Sequence, residues 1–198
     1  HDDHISGVEE LCAATGAMVL GASADAHRLP PLDLALDGSS SFSIGALAVR
    51  VIEVPGHTVG HIAFWIPQAG LAFTADTLMA AGCGRMFEGN APDYWRSLKK
   101  LAALPPETLI CSGHEYTTSN LAFAQSLEPG NRALMLRSAT VAALRAEGKP
   151  SVPVKLSEEL ATNPFLRAGT PEMKAVLGMP TATDTEVFAE LRRRKDRF

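Results

Sequence analysis

The chain has 198 residues, 46% of them hydrophobic, enough to bury a sizeable core in one domain or in one domain with a small appendage. Its formal net charge of -4 argues against a phosphate-tracking surface, so no nucleic-acid partner is expected. No apolar run approaches the roughly 20 residues that span a bilayer and the start lacks a signal-like segment, while three cysteines without a CxxC (Cys12, Cys83, Cys111) suit a reducing compartment. A cytoplasmic protein without membrane association is expected.

In chain order, HDDHISG first sets three potential metal ligands, His1, Asp3 and His4, ahead of ISGVEELCAATG, whose apolar residues fall at helical spacing and stop at Gly16. AMVLGA reads as a short buried strand. FSIGALAVRVIEVPG reads as strand, turn and strand, and HIAFWIP and LAFTAD as two more strands joined by PQAG. A glycine-rich loop, AAGCGRMFEGN, precedes a helix around YWRSLKKLAAL whose start is favoured by Pro92 and Asp93, and TLICSGHEY follows as strand and loop. From Ser119 the pattern turns helical, through NLAFAQSL, RALMLRSATVAALRAEG and the amphipathic, basic-ended TEVFAELRRRKDRF. Residues 1–118 and 119–198 are therefore read as two domains.

Loops just past strand ends suit metal ligation, because distant segments converge there on a rigid support. Three loops qualify: VIEVPGHTVGH with His57, LAFTADT with Asp76 and TLICSGHEY with His114. Imidazoles combined with carboxylates suit zinc, iron or manganese, and two histidine clusters around a shared acid suit a pair of ions. Taken alone, Asp76 fits better as the N-cap of a helix over TLMAAG. His61 opens an apolar strand and reads as core or as support behind the ligands, because Pro55, Gly56 and Gly60 rule out a helical pair with His57. His27 reads as solvated.

Together HDDHISG, VPGHTVGH, FTADT, AGCGRMFEG and SGHEYT resemble the metallo-β-lactamase superfamily, and within it glyoxalase II, the hydroxyacylglutathione hydrolases. NPFLR at Asn163 to Arg167 and the terminal RRRKDRF resemble that family's C-terminal helical domain. The resemblance implies an α/β fold, an αββα sandwich here without its first strands, followed by the helical domain. His1 matches the second histidine of the family's THxHxDH motif. Two divalent ions, zinc in the first instance and iron or manganese otherwise, are implied. His1, His57 and Asp76 would hold one; Asp3, His4, His114 and the shared Asp76 would hold the other.

The resemblance further implies a thioester hydrolase, monomeric, that cleaves S-(2-hydroxyacyl)glutathione, such as S-D-lactoylglutathione, to glutathione and D-lactate, with Asp3, His4 and Asp76 at the reacting centre. Arg85, Tyr116, Arg192 and Lys195 would hold the glutathione moiety. Phe87 stands where a tyrosine usually helps to do so, and Ser6 and Ala75 stand where the family often has glycine. The chemistry is well matched, since a metal lowers the pKa of water to about 7 and a thiol, with a pKa near 8.5, leaves readily. Arg192 and Lys195, three apart on one helical face, are expected to raise KM when both are removed and to leave metal content unchanged. A basic helix end that complements its dipole is the competing account of that tail. Two other readings stand beside hydrolysis: a mononuclear iron persulfide dioxygenase, and an inactive metal-binding remnant.

Overall fold

The computed structural model describes residues 1–198. The start forms a single turn, α1 (Asp2–Ile5), and then α2 (Val8–Thr15), which ends at Gly16 as its spacing predicts. Two short strands, β1 (Leu20–Ala22) and β2 (Leu34–Leu36), pair in parallel as a separate two-stranded sheet. The main sheet has six strands in the order β3 (Ser41–Ile44), β4 (Leu47–Glu53), β5 (Ile62–Ile66), β6 (Leu71–Ala75), β7 (Leu109–Ser112) and β8 (Val154–Lys155). Every neighbouring pair is antiparallel except β6 and β7.

Helix α3 (Ala91–Ala102) makes the crossover that this parallel pair requires, and it starts where Asn90 accepts the Asp93 backbone N–H with its side chain. Its buried residues, Trp95, Leu98 and Leu101, belong to one core with Ala63, Ala72 and Ile110. Strand pairing sets Ala63, Ala72 and Ile110 on a single face of the sheet. The remaining helices are α4 (Thr117–Leu127), α5 (Arg132–Ala146), α6 (Leu156–Thr162), α7 (Pro171–Leu177) and α8 (Asp184–Lys195). Helix α8 brings Val187, Phe188 and Leu191 into the core that α3 covers, with Phe188 stacked on Trp95 at 6.1 Å. Burying side chains of this size contributes about 1.5–3 kcal/mol each, which fixes α8 against the rest of the molecule.

The region after Ser119 is mainly helical, but it also supplies β8, a two-residue edge strand on β7. No helix is long and apolar enough to cross a membrane.

The direction of the strands decides where chemistry is possible. Because β4 is antiparallel to β5, and β5 to β6, while β6 and β7 run together, strands β4, β6 and β7 all point the same way. The loops that follow them leave at one edge of the sheet, and these loops carry His57, Asp76 and His114.

Candidate metal centre

Asp76 sits directly past β6, where the strand shifts register between Phe73 and Ala75 and Ala75 takes a left-handed φ of 41°. A bulge of this kind re-aims the side chains that follow it. No helix follows Asp76, so it is not an N-cap; residues 77–82 form turns instead. The turned carboxylate is buried. Its Oδ2 lies 3.2 Å from His4 Nε2, 3.4 Å from His57 Nε2 and 3.4 Å from His114 Nε2. His57 Nε2 is also 3.1 Å from His1 Nδ1, and His114 Nε2 is 3.4 Å from Asp3 Oδ2. Asp3, His4 and His114 offer ligand atoms that all lie within 4.8 Å of one another. All six residues read from the sequence as ligands thus meet around one carboxylate. Gly113 keeps the space open, since a Cβ there would fall 2.6 Å from Asp76 Oδ1 and 2.8 Å from His4 Cε1.

The bonding around this cluster fits a cation. His57 Nδ1 lies 2.7 Å from the carbonyl oxygen of Arg85, which accepts only if that nitrogen carries the proton. In the neutral ring the lone pair is then on Nε2, and it faces the oxygens of Asp76 and the nitrogen of His1. Lone pairs brought this close are relieved either by a proton on a neighbouring imidazole or by a cation among them. Asp76 Oδ1 is likewise buried without a hydrogen-bond partner, an arrangement costly for a carboxylate. The nitrogen-rich donor set with shared carboxylate oxygen suits divalent zinc, iron or manganese.

Behind the ligands lies polar support. His61 is half-buried with its Nδ1 3.1 Å from the Ile62 carbonyl, and burial, then the neighbouring His57, push its pKa down to about 4. It packs edge-on to His57 at 5.9 Å, in a supporting place. His27 is exposed, as expected. Asp25, which no local pattern marks, is buried beside the His57 loop, accepts from Thr58 Oγ1 at 3.2 Å and pairs with Arg28. Arg28 in turn pairs with Glu88, whose carboxylate also accepts the Val59 N–H at 3.0 Å. The Arg28 guanidinium holds the Glu88 carboxyl down to about 2. This chain of ion pairs ties the His57 loop to the glycine-rich loop.

A pocket of about 810 Å³ opens over the ligands, large enough for a tripeptide-sized molecule, and the four residues expected to hold glutathione line it together with Phe87. They differ in what they offer. Arg85 is exposed, with its Nε 3.8 Å from Asp196. Phe87 is exposed and presents its ring edge-on to His1 and His57, both at 5.3 Å. Tyr116 stacks on His114 at 4.8 Å with its ring half exposed. Lys195 donates to the Ser119 carbonyl at 3.0 Å and lies over the rings of Phe123 and Phe198; burial is the main cause of a lowered pKa. Arg192, expected to hold glutathione, lines the pocket with its donors already engaged inside the protein. It is only 5% exposed, its Nη1 donates to the Cys83 carbonyl at 2.7 Å, and Nε and Nη2 donate to Asp196 at 3.1 and 2.9 Å. The physical reason is helical phase: Val187, Phe188, Leu191 and Arg192 share the inward stripe of α8.

The model of the metallo-β-lactamase superfamily matches residues 1–114, and that of the hydroxyacylglutathione hydrolase C-terminus matches residues 115–198. A hydroxyacylglutathione hydrolase of Cereibacter sphaeroides is 64% identical over all 198 residues, which span 78% of that relative. Those of Fuscovulum blasticum and Methylococcus capsulatus are 63% and 54% identical, again over the whole chain and over 78% and 77% of their own lengths. Among solved structures, the BLEG-1 B3 metallo-β-lactamase aligns with a TM-score of 0.61 at 21% identity, covering 84% of this chain and 73% of that one. ETHE1 from Myxococcus xanthus aligns with a TM-score of 0.58 at 23% identity, covering 98% and 71%. At such identities these two likenesses concern the fold alone. With both halves matched and relatives more than half identical along its full length, the chain belongs to the hydroxyacylglutathione hydrolase family of the metallo-β-lactamase superfamily.

Proposed function

We propose that the protein hydrolyses S-(2-hydroxyacyl)glutathione, S-D-lactoylglutathione being the expected substrate, to glutathione and a 2-hydroxy acid such as D-lactate. The observation that carries this reading is Asp76: one buried carboxylate oxygen within 3.4 Å of three imidazole nitrogens, the other without a partner, at the floor of a cation-rimmed pocket. His1, His57 and Asp76 would hold one divalent ion, and Asp3, His4, His114 and Asp76 a second, with zinc suited to the donors. Bound there, such ions supply Lewis acidity toward a carbonyl oxygen and bring the pKa of water to about 7.

The chain's own groups do the rest. Asp76 fixes the spacing of the two histidine clusters. The Arg85 carbonyl orients His57, and the stacked Tyr116 ring orients His114. The Arg85 and Lys195 cations would face the carboxylates of the glutathione moiety, where charge-assisted contacts are worth about 1.5–3 kcal/mol each. Phe87 and Tyr116 would flank the substrate beside the histidines, with Phe87 contributing surface but no hydroxyl. The departing sulfur leaves as a thiolate, so no side chain has to deliver a proton to it.

The test is a thiol-release assay on S-D-lactoylglutathione with protein dialysed against chelator and then reloaded with zinc. Turnover that disappears on chelation and returns with zinc is the expected result. Absence of thioester turnover in the zinc-reloaded protein, with oxygen uptake on glutathione persulfide after reloading with Fe²⁺ instead, would replace hydrolysis by dioxygenation.

A further inference from the structure

We propose that Arg192 acts as a positioning residue for the metal centre, setting the orientation of His57 through the backbone of residues 83–85; this rests on the metal-dependent reading above. A free ligand for an anionic substrate needs its donors turned toward the pocket. Arg192 lines the pocket, but its donors are already engaged, by the Cys83 carbonyl and Asp196, and its guanidinium lies over the Phe165 ring at 5.0 Å. Its charge is already balanced by Asp196, while Arg85 and Lys195 remain as the more accessible cations of the pocket.

The segment it grips leads directly to a ligand. Gly84, next to the gripped carbonyl, donates its N–H to the Asp76 carbonyl at 2.8 Å. A Cβ on Gly84 would lie 2.8 Å from His57 Nδ1, so this stretch of backbone is in contact with the imidazole. One residue further, the Arg85 carbonyl accepts from the same His57 Nδ1 at 2.7 Å. That bond keeps the proton on Nδ1 and turns Nε2 toward Asp76. Two accepting carbonyls, those of Cys83 and Arg85, therefore flank Gly84 in three consecutive residues, with the guanidinium donating at one end and the imidazole at the other. Removing the guanidinium leaves a buried carbonyl without its partner. It also releases Asp196, whose Oδ1 already stands 3.8 Å from Arg85 Nε, to draw on the residue whose carbonyl holds His57.

The experiment titrates the metal-stripped full chain with Co²⁺ against a chromophoric chelator, in the wild type and in Arg192→Ala, Arg192→Lys, His57→Ala and the double variant His57→Ala, Arg192→Ala. Loss of a group that orients a metal ligand typically weakens binding about 10–100-fold, and Arg192→Ala is expected to weaken one of the two cobalt equivalents by that factor. Arg192→Lys, which keeps the charge but not the fork of donors, should recover only part of it. The double variant should bind cobalt as His57→Ala alone does, because the effect passes through His57. Melting curves of each variant fix a titration temperature well below unfolding, so that a folding defect is not read as lost affinity.

Unchanged cobalt affinity in Arg192→Ala with a raised KM for the thioester would overturn the proposal and make Arg192 a direct substrate ligand. Unchanged affinity with only a lower Tm would overturn it in favour of packing alone, and additive losses in the double variant would detach it from His57. A wild-type chain that takes up no cobalt would instead overturn the metal-dependent function itself, and with it this role.

Discussion

Of the three buried carboxylates, Asp25, Asp76 and Glu159, the protein treats two in opposite ways: Asp76 past the end of β6 and Glu159 in α6. Glu159 is wholly buried and fully occupied: Arg137 pairs with it, Asn163 Nδ2 donates at 2.8 Å and the Ala81 N–H reaches both its oxygens at 3.1 and 2.9 Å. Asn163 also donates to the Gly82 carbonyl at 2.9 Å, and Asn120 to that of Ala80 at 3.0 Å, so the turn that follows Asp76 is held in a set of satisfied bonds. Asp76 is ringed by imidazoles, with one oxygen unpartnered. A buried acid whose bonds are complete stabilises a shape. One left incomplete beside three histidines is the arrangement a cation would complete, and this contrast is the ground for proposing Asp76 as the metal ligand.

The sharpest way to break this comparison is Asp76→Ala. It should remove both ions and lower kcat/KM for the thioester at least about 1,000-fold, or roughly 4 kcal/mol, whereas His57→Ala should retain one ion; equal metal loss in the two would end the shared-carboxylate assignment. Metal-free Asp76→Asn should melt close to the metal-free wild type. Glu159→Ala should do the reverse, costing about 3–5 kcal/mol by leaving Arg137 charged and buried without its partner, which lowers Tm by roughly 6–20 °C in a chain of this size. Replacing Arg137 and Glu159 together by apolar residues should cost less than Glu159→Ala, and a double variant that melts lower would show that the pair is worth more than its packing.

A smaller effect is expected at the Arg28–Glu88 pair. The Glu88 carboxyl is held at about 2, below its ordinary 4.5, so its contribution is present above pH 4.5 and is lost as pH falls toward 2. Glu88→Gln should therefore melt below the wild type at pH 6, by a difference worth a few tenths to about 1 kcal/mol for so exposed a pair, and the two should converge as the pH is lowered through that window. The smallest effect is expected at Ala75, whose φ of 41° glycine adopts without strain. Ala75→Gly should gain roughly 1 kcal/mol or less, the relief being partly offset by glycine's greater freedom when unfolded; a loss in denaturant melts would mean that the bulge needs its methyl group.

What the sequence disclosed and what it hid divide by the range of the signal. Strands β4 to β7 were legible from apolar runs broken by Pro-Gly and glycine pairs, and α3 from its Pro-Asp start. The residues past those strands were legible as a constellation, because spacing past strand ends is a local property. Strand β8 has two residues and β2 three, too short for any period to register, and their pairings are made with distant segments. Helices α6 and α7, of seven residues each, fall below the window in which apolar spacing can be counted. Glu159 and Arg137 went unmarked, and Asn163 stood out only as the start of NPFLR, since nothing nearby in the chain announces that their partners lie in the turn after Asp76. Arg192 was recoverable: counting from Val187, Phe188 and Leu191 places it on the inward stripe, a signal masked by the three basic residues after it.

The contact between His4 and Asp76 joins residues 72 positions apart, and that between His1 and His57 joins residues 56 apart. Closing such loops carries an entropic cost that no partly folded chain recovers through the site alone, so the ligands come together only once β4, β6 and β7 are in place. A pair of ions held by six residues spread across the first 114 would thereby discriminate against every incomplete form of the chain. Their residence time should follow global opening rather than local fraying, and occupancy would act as a quality check on folding, protecting finished molecules from proteolysis in proportion to the free ion concentration.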